Sequence, residues 1–449
     1  MKIKRVLIAN RGEIAVRIVH ACQLLGIETV LAVSEADKDS LGAKLADRTV
    51  CIGPAWPSES YLDSNRLLAA ALLTECDALH PGYGFLAESA ELAQSCKSNG
   101  IIFVGPEAEQ IAQMGNKIRA RRLAEKYGVP TLPGTERVNS VQEAAQAVEK
   151  VGLPVILKAA AGGGGRGMRL VQRSQEFEGI FTSTAAEAEA AFGDGSLYIE
   201  KFISNARHIE VQIIADEHGN VVHLGERDCS LQRRHQKLVE EAPAPGLAPE
   251  LRQKIHKAAV AFAQGFSYKN AGTVEFILDC DTSEFYFLEM NTRIQVEHPV
   301  TEMITGIDLV TEQLKVAAGE PLSFSQEDVF IRGHAIECRI TAELATENFC
   351  PSPGLIKKWQ APNAPNIRVD THCFTGYEVP VFYDSLLAKV IAYGADRAEA
   401  IQRMQNALNH FVIEGIDSTV QFQYQLLDDP RFRSAKMNTH MVDEWLGGQ

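Results

Sequence analysis

The 449-residue sequence lacks any hydrophobic run that approaches the roughly 20 apolar residues a membrane-spanning helix needs. Its amino-terminal stretch is basic and then apolar, but the apolar part is too short for a secretory signal, and Arg11 and Glu13 follow at once. The stretch is better interpreted as a first β-strand. These absences predict a protein without a membrane partner that works in the cytoplasm.

Paired cysteine motifs are also missing. The nine cysteines are scattered, odd in number and form no Cys-x-x-Cys pair. This usage argues against a disulfide framework and a zinc site, and it is typical of a reducing compartment. Cys229 lies in a polar, motif-rich segment, so a reactive thiol is one interpretation of it and a small packed side chain is the other.

An excess of positive charge is absent as well. The chain has 44 lysines and arginines against 58 aspartates and glutamates, which gives a formal net charge of −14. That balance argues against general binding to nucleic acid or to an anionic membrane surface, but it is compatible with a basic cleft for an anionic substrate. A chain of this length predicts two to four domains rather than one core.

Two glycine motifs are incomplete. Asn10–Ala15 follows the first predicted strand with one glycine where the dinucleotide fingerprint needs three, which argues against a nicotinamide or flavin site. Lys158–Met168 holds a glycine run between two predicted strands, without the spacing or the terminal Lys-Ser/Thr of a P-loop. The bare N–H groups of such a loop can approach phosphate, so a mobile lid and a floppy surface loop are the two interpretations.

The first hundred residues alternate strand and helix, which predicts a parallel sheet with helices on its faces. The predicted strands are 4–9, 28–33, 49–52, 78–80 and 101–104, and the predicted helices are 12–25, 67–74 and 87–99. His80–Phe85 forms a turn at the carboxyl end of a strand, where open α/β sheets bind ligands.

The remaining sequence changes pattern several times. Helices are predicted over about 107–127, and the prolines and glycine at 130–134 mark a boundary. A small α/β unit is predicted over 135–203, followed by strand-rich sequence to about 300 and a helix at 307–318. Beyond Arg332 the predicted elements are strands at 333–341, 354–359, 366–371 and 387–393 and helices at 396–410 and near 420–427.

Residues 289–298 read Glu-Met-Asn-Thr-Arg-Ile-Gln-Val-Glu-His and carry the strongest functional signal. They follow the apolar strand Phe285–Leu288, so a period of two is expected to continue through them. Five polar side chains would then share one face: Glu289, Asn291, Arg293, Gln295 and Glu297. Acids, amides and a guanidinium on one face suit a site that holds a metal and a small anion.

A second predicted strand, Gly272–Leu278, precedes this segment across a polar turn. A hairpin centred on Thr282 puts Glu275 opposite Glu289. Facing like charges destabilise a sheet, and a divalent cation between them would reverse the sign of that interaction. Magnesium takes few carboxylates and completes its shell with water and phosphate oxygens. Two solvated acids on an exposed hairpin are the alternative.

Two other polar segments have open assignments. Glu200–Ile203 either contacts an adenine or is an ordinary strand end, and His208 alternates with Glu210 on a strand. Asp228–Lys237 is either a basic turn that fixes an anion or a solvated loop. The side chains of the last segment that would point into a common cleft are Gln232, His235 and Lys237.

Gly333–Ile340 is predicted to be a strand with two different faces. Ile336, Cys338 and Ile340 share one face, and Glu337 and Arg339 share the other. Arg339 therefore either pairs with Glu337 or holds an anionic substrate, for which the planar guanidinium is well suited.

Together these segments resemble biotin carboxylase, the ATP-grasp component of biotin-dependent carboxylases. The resemblance covers essentially the whole chain, and its most specific segments are Asn10–Arg17, His80–Phe85, Lys158–Met168, Glu226–Pro245 and Glu289–Thr305. It implies an α/β ATP-grasp fold in three parts. These are an N-terminal parallel α/β domain (1–115), an ATP-grasp domain (116–330) with a mobile lid (135–203), and a C-terminal mixed α+β domain (331–449).

The resemblance also implies ATP- and bicarbonate-dependent carboxylation of biotin. By position, ATP would be held by Lys117, Lys158, Gly164, Gly165, Glu200, Lys201, Phe202, Ile203, His208, Gln232, His235, Glu275, Glu289 and His440. Two divalent ions, Mg or Mn, would be bound by Glu275, Glu289 and Asn291. Bicarbonate would contact Lys237, Arg293, Gln295, Val296 and Arg339, and biotin would face Tyr83 and Arg339. The implied catalytic residues are Arg293, Glu297 as general base, Lys237 and Arg339.

The sequence contains no Ala/Glu-Met-Lys-Met attachment site, so biotin is expected to arrive on a biotin carboxyl carrier protein. Carboxyltransferase subunits would complete the complex, most often an acetyl-CoA carboxylase, and the resemblance implies a homodimer. Another ATP-grasp ligase that works through an acylphosphate is one alternative. A non-catalytic nucleotide-binding regulator is the other, and the polar residues retained between 275 and 297 argue against it.

Overall fold

The computed structural model describes residues 3–135, 137–138, 140–159 and 168–447. The glycine loop expected to close over a nucleotide, with Gly164 and Gly165, lies outside the described residues. All nine cysteines are free thiols. Among the described residues, no helix combines the length and the apolar character that crossing a membrane requires.

The amino-terminal region forms the predicted parallel sheet with strand order β3-β2-β1-β4-β5. Its elements are β1 (Arg5–Ile8), α1 (Gly12–Leu25), β2 (Glu28–Ser34), α2 (Leu41–Leu45), β3 (Arg48–Gly53), α3 (Ser64–Leu73), β4 (Ala78–His80), α4 (Ala90–Ser98) and β5 (Ile102–Phe103). Val6 and Ile8 are buried in one apolar cluster and Leu7 in another. Both faces of the sheet are therefore covered, as parallel sheets require.

Two helices and a small unit with its own core follow. The elements are α5 (Ala108–Gly115), α6 (Lys117–Lys126), α7 (Val141–Val151), β6 (Val155–Ala159), β7 (Met168–Val171), α8 (Phe177–Phe192) and β8 (Leu197–Lys201). The strands pair antiparallel in the order β7-β6-β8. Val155, Leu157, Leu197 and Ile199 are buried in the core of this unit, so its strands and helices match the predicted small α/β unit.

The central region contains five long strands and three helices. They are β9 (Ala206–Ala215), β10 (Val221–Arg233), β11 (Gln236–Ala242), α9 (Pro249–Gly265), β12 (Asn270–Asp279), β13 (Phe285–Asn291), α10 (His298–Thr305) and α11 (Leu309–Ala317). The prediction of strand-rich sequence to about 300 is wrong at α9. Ile255, Ala259 and Phe262 recur at helical spacing and are fully buried against the strands, and Pro249 starts the helix.

The region beyond Arg332 adds strands and helices. They are β14 (His334–Thr341), β15 (Glu343–Leu344), β16 (Cys350–Pro351), β17 (Gly354–Leu355), β18 (Lys358–Gln360), β19 (Ile367–Thr371), β20 (Glu378–Val379), β21 (Leu386–Gly394), α12 (Arg397–Asn409), β22 (Val412–Glu414), α13 (Val420–Leu426), α14 (Pro430–Arg433) and α15 (Met441–Gly447). A single antiparallel sheet of order β13-β12-β9-β10-β11-β14-β21-β19 joins this region to the central one.

The carboxyl-terminal half of this sheet has one apolar and one charged face. Ile336, Cys338 and Ile340 are buried in an apolar cluster with residues of α12 and α13, as predicted. The opposite face carries Arg339 and Lys389, which are cross-strand partners. Helices α1 and α10 pack against this charged face. Side chains from three distant segments of the chain therefore meet there.

Phe262 provides a test of the α9 assignment. Its ring lies 4.8 Å from that of Phe287 in β13, centroid to centroid, so a cavity there would loosen the strand that carries Glu289. Phe262→Ala is expected to cost about 3–5 kcal/mol and to lower the Tm measured by calorimetry. The control Phe330→Ala removes a ring that is 61% exposed and should change stability by less than about 0.5 kcal/mol. Equal Tm losses in both variants would contradict the assignment.

Candidate functional site

The predicted hairpin is confirmed in its register. Glu275 in β12 pairs directly with Glu289 in β13, and Thr273 pairs with Asn291. The extended backbone ends at Asn291, however, and α10 begins at His298. The expectation that the alternation continues through Arg293, Gln295 and Glu297 is therefore wrong, because residues 292–297 fold into an irregular turn. We call residues 292–297 the site loop.

The site loop nevertheless returns its polar side chains to the hairpin. Gln295 Nε2 and Asn291 Nδ2 each donate to Glu275 Oε1 at 2.7 Å. Arg293 Nη2 donates to Asn291 Oδ1 at 3.1 Å. The amides and the guanidinium thus gather around the facing acids by a turn of the chain rather than by strand alternation.

The two facing acids differ in their proton affinity. Burial opposes ionisation of Glu275, but the charges of Lys237 and His208 outweigh it and lower the pKa of this carboxyl. Burial and then the neighbouring Glu275 charge raise the pKa of Glu289. Two carboxylates and the Asn291 amide oxygen form a hard, oxygen-rich donor set that fits magnesium or manganese. A divalent cation there would relieve the repulsion that raises the pKa of Glu289.

Lys237 is the centre of a buried charge cluster. Its Nζ lies 2.6 Å from Glu210 Oε2, 3.1 Å from Glu275 Oε1 and 2.6 Å from Glu297 Oε1. Burial opposes its charge, but the three carboxylates outweigh that cost and raise its pKa well above the usual lysine value. A tight turn between β10 and β11 positions the side chain by pairing Lys237 with Gln232.

Glu297 is held between two cations. Its Oε1 contacts Lys237, and its Oε2 lies 3.0 Å from Arg339 Nη2. Burial opposes ionisation of Glu297, but the charges of Lys237, Arg339 and Arg227 hold the pKa of its carboxyl well below the usual range. An anion bound to Lys237 and Arg339 would offset the stabilisation that these cations give to the Glu297 carboxylate, and so would raise the pKa of Glu297. The carboxylate would therefore be a stronger base only when the anion is bound.

Arg339 has partners that the strand pattern did not indicate. Its Nε donates to Glu240 Oε1 at 2.6 Å, and its Nη2 bonds Glu297. Glu337, the alternative partner, is fully buried, and neither of its carboxylate oxygens is hydrogen-bonded to any residue that the structure describes. Burial, above all, raises the pKa of the Glu337 carboxyl well above the usual range. Arg339 therefore points into the same cluster as Lys237 rather than along its own strand.

Two further residues that the sequence pattern left unassigned support the site loop. Arg227 is fully buried and donates to Glu210 at 2.5 Å and to Gln295 Oε1 at 2.8 Å. Glu88, which precedes α4, accepts from Arg293 Nε at 3.0 Å and from the Thr292 amide at 3.1 Å. The sequence signal for Arg227 was its place in segment 226–245, one of the segments that carry the family resemblance. No feature of the sequence around Glu88 marks it as a site residue.

The residues expected to hold ATP line the space between the hairpin and the small unit. Lys117 Nζ lies 3.8 Å from Glu289 Oε2, and Lys158 donates to Glu200. His208 Nε2 lies 2.9 Å from Glu275 Oε2. Lys201 differs from this pattern, because its ammonium donates to the carbonyls of residues 152 and 153 at 3.0 and 2.9 Å and so turns into the small unit.

The other nucleotide candidates differ in burial and in contacts. The Phe202 ring lies 5.8 Å from that of His440, centroid to centroid, so the carboxyl-terminal tail meets the end of β8. Ile203 is half-buried, Gln232 is buried and His235 is exposed on the β10–β11 turn. Cys229 is buried and its thiol pKa is raised well above the usual value, chiefly by burial, so the packed interpretation holds for it.

Tyr83 lies at the opposite edge of the cluster. Its hydroxyl donates to Glu13 at the start of α1, and Asn10 Nδ2 donates to its carbonyl at 2.7 Å. Burial and the Glu13 charge raise the pKa of the Tyr83 hydroxyl well above its usual value, while Arg339 acts in the opposite direction. Tyr83 is thus tied to the start of α1, and the Arg339 charge acts on its hydroxyl.

Three family models match consecutive parts of the chain. They are "Biotin carboxylase, N-terminal domain" (residues 2–111), "Carbamoyl-phosphate synthase L chain, ATP binding domain" (116–325) and "Biotin carboxylase C-terminal domain" (337–444). The chain is 52% identical over 444 residues to biotin carboxylase 1 of Bacillus subtilis, with 99% of each chain covered. It is 50% identical over 447 residues to the biotin carboxylase of Pseudomonas aeruginosa, again with 99% of each chain covered.

Solved structures are equally similar. A biotin carboxylase complex with β,γ-ATP from Campylobacter jejuni superposes with a TM-score of 0.94 at 46% identity, covering 99% of both chains. The biotin carboxylase domain dimer of Hydrogenobacter thermophilus 2-oxoglutarate carboxylase, solved with MgADP, ADP and bicarbonate, gives a TM-score of 0.93 at 44% identity. That match covers 99% of this chain and 98% of the other.

Lys237→Met tests the charge cluster through its pH dependence. In the wild type, Glu275 and Glu297 have lowered pKa values in the folded state, so their contribution to stability is present above the unfolded value of about 4.3 and lost as pH falls below it. The variant loses that contribution and leaves three acids buried without their shared cation. Its Tm is expected to lie well below that of the wild type at about pH 8. The gap should narrow as pH falls, because Glu275 and Glu297 without Lys237 take up protons at a higher pH than in the wild type.

Lys97→Met is the matched control for this measurement. Lys97 pairs with Glu107 at 2.8 Å on the surface, with 66% of its side chain exposed, and such pairs contribute about 0–1 kcal/mol. We expect a small Tm change for this variant. A gap between wild type and Lys237→Met that stayed constant with pH would contradict the ionised cluster.

Proposed function

Because the chain belongs to the biotin carboxylase family and carboxylates biotin with ATP and bicarbonate, we propose that its charge cluster is the site of both steps of the reaction. These are the activation of bicarbonate by ATP and the carboxylation of biotin. The observation that carries the proposal is that Lys237 and Arg339 both bond Glu297, while Lys237 also bonds Glu275 of the facing acid pair. Arg293 bonds Asn291 on the same hairpin. Three cations beside oxygen ligands suited to a divalent metal can bind a small anion next to the γ-phosphate of a nucleoside triphosphate.

Bicarbonate is the anion we assign to this pocket. Lys237 and Arg293 would bind its oxygens, with Gln295, the Val296 backbone and Arg339 completing the pocket. Glu297 would remove its proton, and the freed oxygen would attack the γ-phosphorus of ATP. The P–O bond to ADP breaks as the new one forms, giving carboxyphosphate and ADP. The cations offset the repulsion between two anions and stabilise the charge of the transition state.

Carboxyphosphate then breaks down to carbon dioxide and phosphate. We infer that the departing phosphate takes the proton from the ureido nitrogen of biotin, which then attacks carbon dioxide. Arg339 would stabilise the negative charge on the ureido oxygen, and Tyr83 would border the ring. The contact of Arg339 with Glu297 supports this assignment, in which one guanidinium would serve both the bicarbonate and the biotin ends of the pocket.

The nucleotide would lie between the hairpin and the small α/β unit. We assign its contacts to Lys117, Lys158, Gly164, Gly165, Glu200, Lys201, Phe202, Ile203, His208, Gln232, His235, Glu275, Glu289 and His440. Glu275, Glu289 and Asn291 would hold the divalent ions, Mg or Mn, which neutralise phosphate charge when bound. Because the Lys201 ammonium donates to the carbonyl of residue 152, its side chain is engaged within the small unit. This supports a nucleotide contact through the Lys201 backbone rather than through its side chain.

We further propose three domains, 1–115, 116–330 and 331–449, with 135–203 closing as a lid over the nucleotide. The separate core of the small unit supports this movement. Closure would exclude water, which would otherwise hydrolyse carboxyphosphate. The sheet continues from β11 to β14, so we infer that the second and third domains move as one body.

The partners follow from the same assignment. We propose that biotin is carried by a biotin carboxyl carrier protein and passed to carboxyltransferase subunits of an acetyl-CoA or related carboxylase. The chain would act as a homodimer, which the dimeric Hydrogenobacter thermophilus structure supports. Its nine free cysteines support a cytoplasmic location.

The function is tested by following two products separately. ATP hydrolysis should require bicarbonate, and labelled bicarbonate should appear on added biotin. Arg339→Ser is expected to keep nucleotide binding and much of the bicarbonate-dependent ATP hydrolysis, and to reduce biotin carboxylation roughly 10²-fold or more, because it removes the group that stabilises the ureido charge.

Arg332→Ser is the control, since Arg332 is exposed on the connection that precedes β14, the strand of Arg339, and its activities should match those of the wild type. Unchanged biotin carboxylation in Arg339→Ser would refute the role of Arg339. A wild type whose ATP hydrolysis ignored bicarbonate would refute the assignment of the pocket.

A further inference from the structure

Lys389 is a fully buried lysine directly behind the site loop. Its Nζ donates to the Val296 carbonyl at 2.8 Å, lies 3.0 Å from Glu13 Oε1 and 3.9 Å from Asp370 Oδ2. No part of its side chain reaches solvent. Burying an ammonium is costly unless it is paired and hydrogen-bonded. Its contacts therefore compensate a substantial desolvation cost.

Lys389 is one of three side chains that hold consecutive carbonyls of the site loop. Arg293 Nη1 donates to the Ile294 carbonyl at 3.1 Å, the His298 ring nitrogen Nδ1 bonds the Gln295 carbonyl at 2.7 Å, and Lys389 holds the Val296 carbonyl. In a trans peptide the N–H points opposite to the C=O. Anchoring the Gln295 and Val296 carbonyls therefore fixes the directions of the Val296 and Glu297 amides.

The same ammonium reaches the other end of the pocket through Glu13. Glu13 Oε1 accepts from Lys389 and also from the Tyr83 hydroxyl. Glu13 lies in the first turn of α1, and Lys389 lies at the centre of β21. A chain of contacts thus runs from Tyr83 through Glu13 and Lys389 to Val296, across three segments that are far apart in sequence.

We propose that Lys389 is a positioning residue that aims the Val296–Glu297 peptide into the bicarbonate pocket and ties it to the Tyr83 end of the site. This inference rests on the proposed bicarbonate pocket. The neighbouring buried cation Arg17 provides a contrast. It contacts the carboxylates of Glu302 and Asp308, at 2.8 and 2.7 Å, and no bond from it to a site-loop carbonyl is present among the described residues.

The test compares Lys389→Met with the double variant Lys389→Met/Glu13→Gln. Methionine keeps the length of the side chain and loses the donor, and glutamine removes the unpaired buried charge while keeping an acceptor for Tyr83. We expect the KM for bicarbonate to rise roughly 10- to 100-fold in both variants, because the pocket amides lose their alignment. The KM for ATP should change less than about twofold.

Measuring Tm beside the KM for bicarbonate distinguishes a positioning role of Lys389 from a packing role. The double variant should recover much of the Tm that the single variant loses, while its KM for bicarbonate stays high. The control Arg397→Met removes a half-buried cation that likewise joins a carboxylate, that of Glu241, to a backbone carbonyl, that of Phe432. It should lower the Tm and leave the KM for bicarbonate unchanged.

Two outcomes would overturn the proposal. One is a wild-type KM for bicarbonate in Lys389→Met, and the other is a double variant that recovers KM together with Tm, which would make Lys389 a packing residue only. Arg293→Ala distinguishes these from a failure of the pocket itself. If Arg293→Ala also left the KM for bicarbonate unchanged, the bicarbonate pocket would be wrong, and the role of Lys389 would fall with it.

Discussion

The shared ammonium of Lys237 is the interaction on which the rest of the site depends. Glu210, Glu275 and Glu297 come from different segments of the chain, and each contacts this one Nζ within 3.1 Å. Without it, three buried carboxylates would lie close together with no cation shared among them. Removing the cation would therefore cost the site a metal ligand and its proposed base together. Stability and chemistry are coupled here because one charge serves both.

The surrounding sheet makes this cluster possible by separating its two faces. Ile336, Cys338 and Ile340 bury one face in an apolar core, while Glu240, Arg339 and Lys389 lie on the other. Helices α1 and α10 cover the charged face and so bring residues near 13 and 297 against strands near 339 and 389. The site lies where α1, the site loop before α10 and these strands meet. Lys389, on one of the strands, contacts both Glu13 of α1 and Val296 of the site loop.

The features that were predictable from the sequence are those set by local periodicity. The alternation around Phe285–Leu288 and the polar turn before it were sufficient to place Glu275 opposite Glu289, and the βαβ pattern predicted the parallel sheet. The irregular turn after Asn291 was not predictable from that period, because the contacts that hold it come from Lys389 and Glu88. The α9 helix was missed, although its apolar residues recur at helical spacing.

The partners of the charged residues were the least predictable part of the site. Arg339 was expected either to pair with Glu337 two residues away or to hold a substrate, and its carboxylate partners are Glu240 and Glu297 rather than Glu337. These partners lie 99 and 42 residues away in sequence. No pattern within one strand identifies such contacts. The resemblance to a family supplied the roles of these residues, and the structure supplied the network in which those roles are combined.

A crystal structure grown with manganese, ADP and bicarbonate would show whether the facing acids hold a metal beside a bound anion. We expect an anomalous scattering peak between the carboxylates of Glu275 and Glu289, and density for bicarbonate in contact with Lys237 and Arg293. A manganese ion bound elsewhere, with the two carboxylates turned apart into solvent, would contradict this expectation.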